Sequence, residues 1–246
     1  MDAEIKMAIS EWLSNAIGGI CGQRVVKLEA LSLTDLLRRK NPYMFASKNI
    51  QDPEDFVREI LSAHISSMEE TTFGNLLEGL AVFTAEKIHG GSKSSATGID
   101  LEFSKGGIRH IVSIKSGPNW GNSDQVKKMR SNFKKASRII RQGDRNTQVM
   151  AINGCCYGRG NKNPDKGDYW KLVGQEFWEL VSGDADFYLN LVESIEVAAA
   201  GRKAEFTEAY ERVLKKLVME LRESFCDAQG ELDWRKITRF NSEKKR

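Results

Sequence analysis

The chain has 246 residues, 40% hydrophobic and 29% charged, with a formal net charge of +3. That supplies a globular core for one large domain or one domain with helical extensions, and the mild charge leaves the partner to be read from where the cations sit. Cys21, Cys155, Cys156 and Cys226 lack C-x-x-C spacing and no apolar run approaches the roughly 20 residues of a membrane span, which excludes a structural zinc site, a disulfide framework and a membrane-spanning helix.

The N-terminal third reads as helical. Ile5, Ala8, Ile9, Trp12, Leu13 and Ala16 repeat at three and four, and Gly18-Gly19 is expected to stop that helix. A second helix is expected over much of 25–40. "DPEDFVREILSAHISSM" offers Asp52 as N-cap, Pro53 at the first helical position and an apolar stripe of Phe56, Ile60, Leu61 and Ile65. "TTFGNLLEGLAVFTAEKI" predicts a further helix over 71–88, closed by Gly90-Gly91. Strand signals follow at 98–104, 108–115, 148–153 and 168–173, with one basic helix over 124–142. "GQEFWELV", "ADFYLNLVESIEVAAA" and "EFTEAYERVLKKLVMELRESF" return to helix, the last with Phe206, Tyr210, Val213, Leu214 and Leu217 on one side. The expected organisation is a helical region at 1–70, an α/β core at 71–182 and a helical region at 183–246. The N-terminus carries charges among its apolar residues and lacks a signal-peptide core, so the expected location is cytoplasmic.

The segment "GIDLEFSKGGIRHIVSIKSG" carries the chemistry. Gly106-Gly107 suits a two-residue hairpin turn, because glycine accepts the positive φ such turns require. That turn pairs Lys105 with Ile108, Phe103 with His110, Leu101 with Val112, and Asp100 with Ser113. One face then holds Ile99, Leu101, Phe103, Val112 and Ile114. The other holds Asp100, Glu102, Ser104, Arg109, Ser113 and Lys115, with Lys115 one diagonal step, about 7–8 Å, from Asp100. A half-exposed sheet with a salt bridge accounts for the pattern in structural terms. The functional account is metal-dependent phosphodiester cleavage. A carboxylate there holds a hard cation, and an adjacent lysine orients or deprotonates the attacking water.

Asp100, twelve intervening residues and then "SIK" resembles the PD-(D/E)XK nuclease pattern, with Gly98-Ile99 where proline often precedes the aspartate and Ser113 where a second acid usually stands. "VSIKSGPNWGNSDQ", "TTFGNLLEGLA", "GQEFWELVSGDADFYLNLVESIE", "KNPYM" and "DAQGELDWRKI" together resemble a type II restriction endonuclease family with an S-x-K motif, over roughly residues 40–240. The resemblance implies a restriction-endonuclease-like α/β fold, a mixed central sheet flanked by helices, with N- and C-terminal helical extensions. It implies Mg²⁺ as cofactor, Asp100 as metal ligand, Lys115 as the water-positioning lysine and the Ile114 carbonyl as a further ligand. Ser113 in the catalytic motif cannot be a charged ligand, which leaves the second acid open between Glu78, on the preceding helix, and Glu102. Gln125 is a weaker candidate for positioning the phosphate.

The helix "SDQVKKMRSNFKKASRIIRQGDR" is expected to be capped by Ser123, with Val126, Met129, Phe133, Ala136 and Ile140 inward. Lys127, Lys128, Arg130, Lys134, Lys135, Arg138 and Arg141 cover the rest, with no acid between Asp124 and Asp144. Like charges at such spacing repel, and a phosphate backbone relieves that repulsion. Arg159 and Lys162 in the loop 156–170, and Asn119 beside Trp120 in "SGPNWGN", are further candidates for contact with double-stranded DNA. Double-strand cleavage of a palindromic site favours a homodimer, with the terminal helical regions gripping DNA or pairing subunits. A companion DNA methyltransferase, not stably bound, would protect host DNA. Two alternatives stand beside this reading: a repair or recombination nuclease of the same superfamily, and a catalytically silent DNA-binding module.

Overall fold

The structure, a computed structural model, describes residues 1–160, 162–201 and 203–244, and of Lys203 only the backbone. The last two residues of the C-terminal region, and Asn161 in the loop 156–170, lie outside the described residues. The chain divides into two compact units: Met1–Ile17 with Thr72–Ala198, and Gly18–Thr71 with Ala199–Arg246. Among the described residues no helix is long and apolar enough to cross a membrane.

Two helices run through glycine or polar stretches that the sequence presents as breaks. Helix α1 (Ala3–Glu29) continues past Gly18-Gly19. Each glycine costs a helix about 1 kcal/mol relative to alanine, and burial of Leu13, Ile17 and Leu28 along the same helix offsets that cost. The expected second helix is therefore two pieces: the last turns of α1 and a short α2 (Leu33–Arg39) whose N-cap Ser32 accepts from the Asp35 amide. Helix α3 (Pro42–Ala46) is capped by Asn41. Helix α4 (Pro53–His89) joins the two helices expected at 52–68 and 71–88. Asp52 caps it through the Glu54 and Asp55 amides, as expected. At the polar run the Thr71 hydroxyl donates to the Ser67 carbonyl one turn back, at 3.0 Å, so a residue of low helix propensity is accommodated inside the helix.

The first unit is built on a mixed sheet, five-stranded among the described residues, in the order β1-β2-β3-β4-β5. The strands are β1 (Ser92–Lys93), β2 (Leu101–Lys105), β3 (Ile108–Lys115), β4 (Gln148–Cys155) and β5 (Trp170–Val173). β1, β2 and β3 pair antiparallel; β3, β4 and β5 pair parallel. The β2–β3 register is the expected one, Lys105 with Ile108, Phe103 with His110 and Leu101 with Val112. Gly106 and Gly107 turn at φ +59° and +76°, positive at both central positions as a type I′ turn requires. Ile99 departs from the expected face. It lies before β2, just after a turn at Gly98, and packs with Ile111, Met129 and Phe133.

Helix α5 (Ser123–Gly143) connects β3 to β4 and buries Met129, Phe133 and Ala136 against Ile111. The sheet face expected to be open is thus covered at its centre. The N-cap is Asn122 rather than Ser123. Its side chain accepts from the Asp124 and Gln125 amides while Gln125 accepts from the Asn122 amide, a reciprocal box that satisfies three otherwise orphan donors. On the other face, His89 and His110 stack on either side of Phe103 with ring centroids 4.8 Å apart in each pair. Helix α6 (Gln175–Ser182) buries Phe177 and Trp178, and α7 (Phe187–Ala199) follows.

In the second unit α8 (Lys203–Phe225) carries the expected stripe, shifted inward by Ala209, Val218 and Leu221; Phe206 and Tyr210 are only partly buried. These residues pack with Leu33, Leu36, Leu37, Phe56, Val57, Ile60 and Leu61. Helix α9 (Trp234–Ser242), capped by Asp233, adds Ile237 and an edge-on Trp234–Phe56 contact.

Candidate active site

Alternation along β3 sends Ile111, Ser113 and Lys115 to one face and Val112 and Ile114 to the other. Asp100, one residue before β2, donates its backbone N–H to the Val112 carbonyl at 2.8 Å and so stands opposite Ser113. Its Oδ2 accepts the Ile114 N–H at 2.6 Å and the Ser113 hydroxyl at 3.5 Å. Lys115 Nζ lies 3.9 Å from the same oxygen and donates to the Ile114 carbonyl at 2.7 Å. Asp100, Ser113, Ile114 and Lys115 are therefore one cluster. Ser113 is 3% exposed, whereas the Asp100 and Lys115 side chains keep 23% and 31% of their surface, so the charged pair is open to a substrate.

This cluster has the donor chemistry of a hard-cation site. The Asp100 carboxylate and the Ile114 carbonyl both face the Lys115 ammonium, so one region of space lies near two oxygens, and Asp100 Oδ1 has no hydrogen-bond partner among the described residues. Mg²⁺ commonly takes one or two carboxylates together with water and substrate phosphate, and the oxygens present fit such an ion. Among the described residues no group of three or more His, Cys, Asp or Glu forms a self-sufficient metal centre.

The two candidate second acids differ. Glu78 sits on α4, one turn beyond Gly74, where an added Cβ would come 2.6 Å from Ser116 Oγ, a contact that rotation of the serine hydroxyl relieves; α4 thus passes close to the chain just after β3. The Glu78 carboxylate lies 3.8 Å from Lys93 Nζ, and no hydrogen bond or ion pair joins it to Asp100 or Lys115. Glu102 is fully engaged, accepting from Arg109 at 2.8 Å and from the Ser94 hydroxyl. Cys155 and Cys156, at the end of β4, are inert thiols. Burial pushes the first up to about 11 and the second to about 12, with Cys155 and Glu78 adding to the effect on Cys156.

The seven cations of α5 are exposed. Arg130 is held by Asp168 at 3.5 Å and lies over the Tyr169 ring, and Lys127 pairs with Asp124 at 3.3 Å. Lys128, Lys134, Lys135, Arg138 and Arg141 have no carboxylate within ion-pair distance among the described residues. Asn119, Arg159 and Lys162 are exposed on loops. Asn119 and Arg159 border one cavity of 310 Å³ with Lys166 and Lys171, while Lys162 lies with Arg159 along a second. The Gln125 side-chain oxygen is used in the helix cap.

The sequence reading missed Asn153. This β4 residue is 1% exposed and pairs in register with Ser113. Its Oδ1 accepts the Trp120 indole N–H at 3.1 Å, and its Nδ2 donates to the Ser113 carbonyl at 3.2 Å. Trp120, partly buried, places its ring 5.4 Å from Lys115 Nζ. The signal available was one asparagine directly after the apolar run "VMAI" of that strand.

In comparisons with known proteins, a family model described as type II restriction endonuclease EcoO109I matches residues 7–203. None of the curated proteins compared with the chain matches it.

Proposed function

The chain belongs to the type II restriction endonuclease EcoO109I family, a nuclease family, and on that premise we propose that it is a Mg²⁺-dependent, sequence-specific endonuclease that hydrolyses phosphodiester bonds in both strands of DNA. The observation that carries the reading is the convergence of the Lys115 ammonium on Asp100 Oδ2 and the Ile114 carbonyl. Asp100 and Ile114 would hold the ion, with Glu78 as the candidate second acid. When bound, the ion supplies Lewis-acid stabilisation of charge at the scissile phosphate. Lys115 positions the attacking water and shares in its deprotonation. Ser113 keeps the Asp100 carboxylate oriented. The exposed cations of α5, with Asn119, Arg159 and Lys162, track the phosphate backbone. The protein works in the cytoplasm as a homodimer, one cluster per strand, beside a methyltransferase that protects host DNA without binding it stably. The helical residues of 1–70 and 183–246 serve pairing and DNA grip.

Digestion of long bacteriophage DNA, with and without Mg²⁺, followed by sequencing of the ends tests this reading. Discrete fragments with a common end sequence are expected only with the ion. Random nicking points instead to a repair nuclease. Tight binding without cleavage in Mg²⁺ or Mn²⁺ points to a silent DNA-binding module, the reading that Ser113 favours.

A further inference from the structure

Lys115 is the one member of the cluster with a long, rotatable side chain, and the geometry around it is restrictive. Its ammonium donates to the Ile114 carbonyl at 2.7 Å, stands 3.9 Å from Asp100 Oδ2 and lies 5.4 Å from the centre of the Trp120 ring. A cation within about 6 Å of an aromatic face is attracted by it, and tryptophan provides the strongest such face. The Trp120 ring is itself fixed. An indole nitrogen can only donate, so the Asn153 oxygen must face it, and the amide nitrogen is then left to donate to a carbonyl. The Ser113 carbonyl is there, on the strand that carries Lys115. One buried amide thus spends both ends tying the loop 116–122 to β3. The same loop is pinned a second time where Lys171 Nζ of β5 donates to the Pro118 carbonyl at 2.7 Å.

We infer that Trp120 and Asn153 are positioning residues for Lys115: Asn153 fixes the indole, and the indole face holds the ammonium against Asp100. The role rests on the nuclease reading above for its consequence in catalysis, but the contact itself does not. Without the ring, the ammonium loses one of three attractions and gains rotamers that point away from Asp100.

Two measurements test the inference. In the first, ¹⁵N-labelled tryptophan reports five indole N–H cross-peaks, and Trp120→Leu identifies the one from Trp120. That cross-peak is expected to move in Lys115→Ala and to move and lose exchange protection in Asn153→Ala. A cross-peak unmoved by Lys115→Ala overturns the inference. In the second, single-turnover cleavage of long bacteriophage DNA in Mg²⁺ is compared with DNA affinity. Trp120→Leu is expected to slow cleavage about 2- to 30-fold with affinity unchanged. Trp120→Phe, which keeps a ring face without the indole anchor, should fall between Trp120→Leu and wild type. A wild-type cleavage rate in Trp120→Leu would overturn the positioning role. If Asn153→Ala does not fold, the Trp120 and Lys115 variants still decide the question. If the wild-type protein cuts no DNA, the nuclease reading fails, and the cross-peaks still decide whether the three residues are coupled.

Discussion

Lys115 Nζ lies 3.9 Å from Asp100 Oδ2, although Asp100 stands just before β2 and Lys115 ends β3. The Gly106-Gly107 turn and the alternation of side chains bring them there. A slip of one residue would turn Asp100 away and send Val112 and Ile114 outward. The register also gives Asp100 its most direct contact, the 2.6 Å bond from the Ile114 N–H, which fixes the carboxylate before any substrate arrives.

The two remaining acids should separate cleanly by mutation. Glu102→Gln weakens the contacts to Arg109 and Ser94 and should lower thermal stability while leaving the cleavage rate within a few-fold of wild type. Glu78→Gln should do the reverse, reducing single-turnover cleavage by about 100-fold or more if it completes the ion's ligands, with little change in melting temperature. Full activity in Glu78→Gln would remove it from the site.

Salt dependence of DNA binding should report the free cations of α5. Each phosphate contact contributes about −0.9 to the slope of log K against log salt for duplex DNA. Lys134→Ala and Lys135→Ala should each make that slope shallower by about one. Arg130→Ala should change it less, because Asp168 and Tyr169 already engage that side chain. Slopes equal to that of the wild type in all three variants would move the DNA away from this helix.

The packing of α6 on the sheet is a purely steric matter at Gly154. A Cβ there would stand 2.3 Å from the fully buried Phe177 ring. Gly154→Ala should therefore destabilise the protein by about 1–3 kcal/mol, the usual cost of overpacking a filled core. Urea denaturation would measure it as a lower midpoint at unchanged slope.

His89 and His110, on either side of Phe103, should make the sheet acid-sensitive. Burial, as the largest cause, holds both below the usual imidazole range, despite backbone carbonyl partners at Leu180 and Ile108 that act the other way. The unfolded chain then binds protons at a higher pH than the folded one. Stability is fully present above pH ~6.5 and falls as the pH drops below it. Denaturation midpoints at pH 7.5 and 5.5 should differ in that direction, and His110→Phe should shrink the difference. A midpoint that rises on acidification would contradict this.

What the sequence made legible follows from local rules. The hairpin register follows from two adjacent glycines and strict alternation, and the α5 stripe from its 3.6-residue period with Asn122 close by. The failures arose where tertiary packing overrode local signals. Gly18-Gly19 and the Ser/Thr-rich stretch at 66–72 resemble helix ends, but flanking buried residues and the back-bonding Thr71 hydroxyl carry α1 and α4 through. Ile99 changed faces because the chain turns at Gly98 before the strand begins. Asn153 could not be recognised because its importance lies in a cross-strand pairing with Ser113 and a loop tryptophan 33 residues away.

The most direct test compares single-turnover cleavage of long bacteriophage DNA by wild-type protein and Lys115→Ala, each with and without Mg²⁺, alongside DNA affinity. Ion-dependent cutting by wild type, lost by about 100-fold or more in the variant with affinity retained, is the predicted result. Equal cutting by the two proteins, or cutting by wild type that does not need the ion, would contradict it.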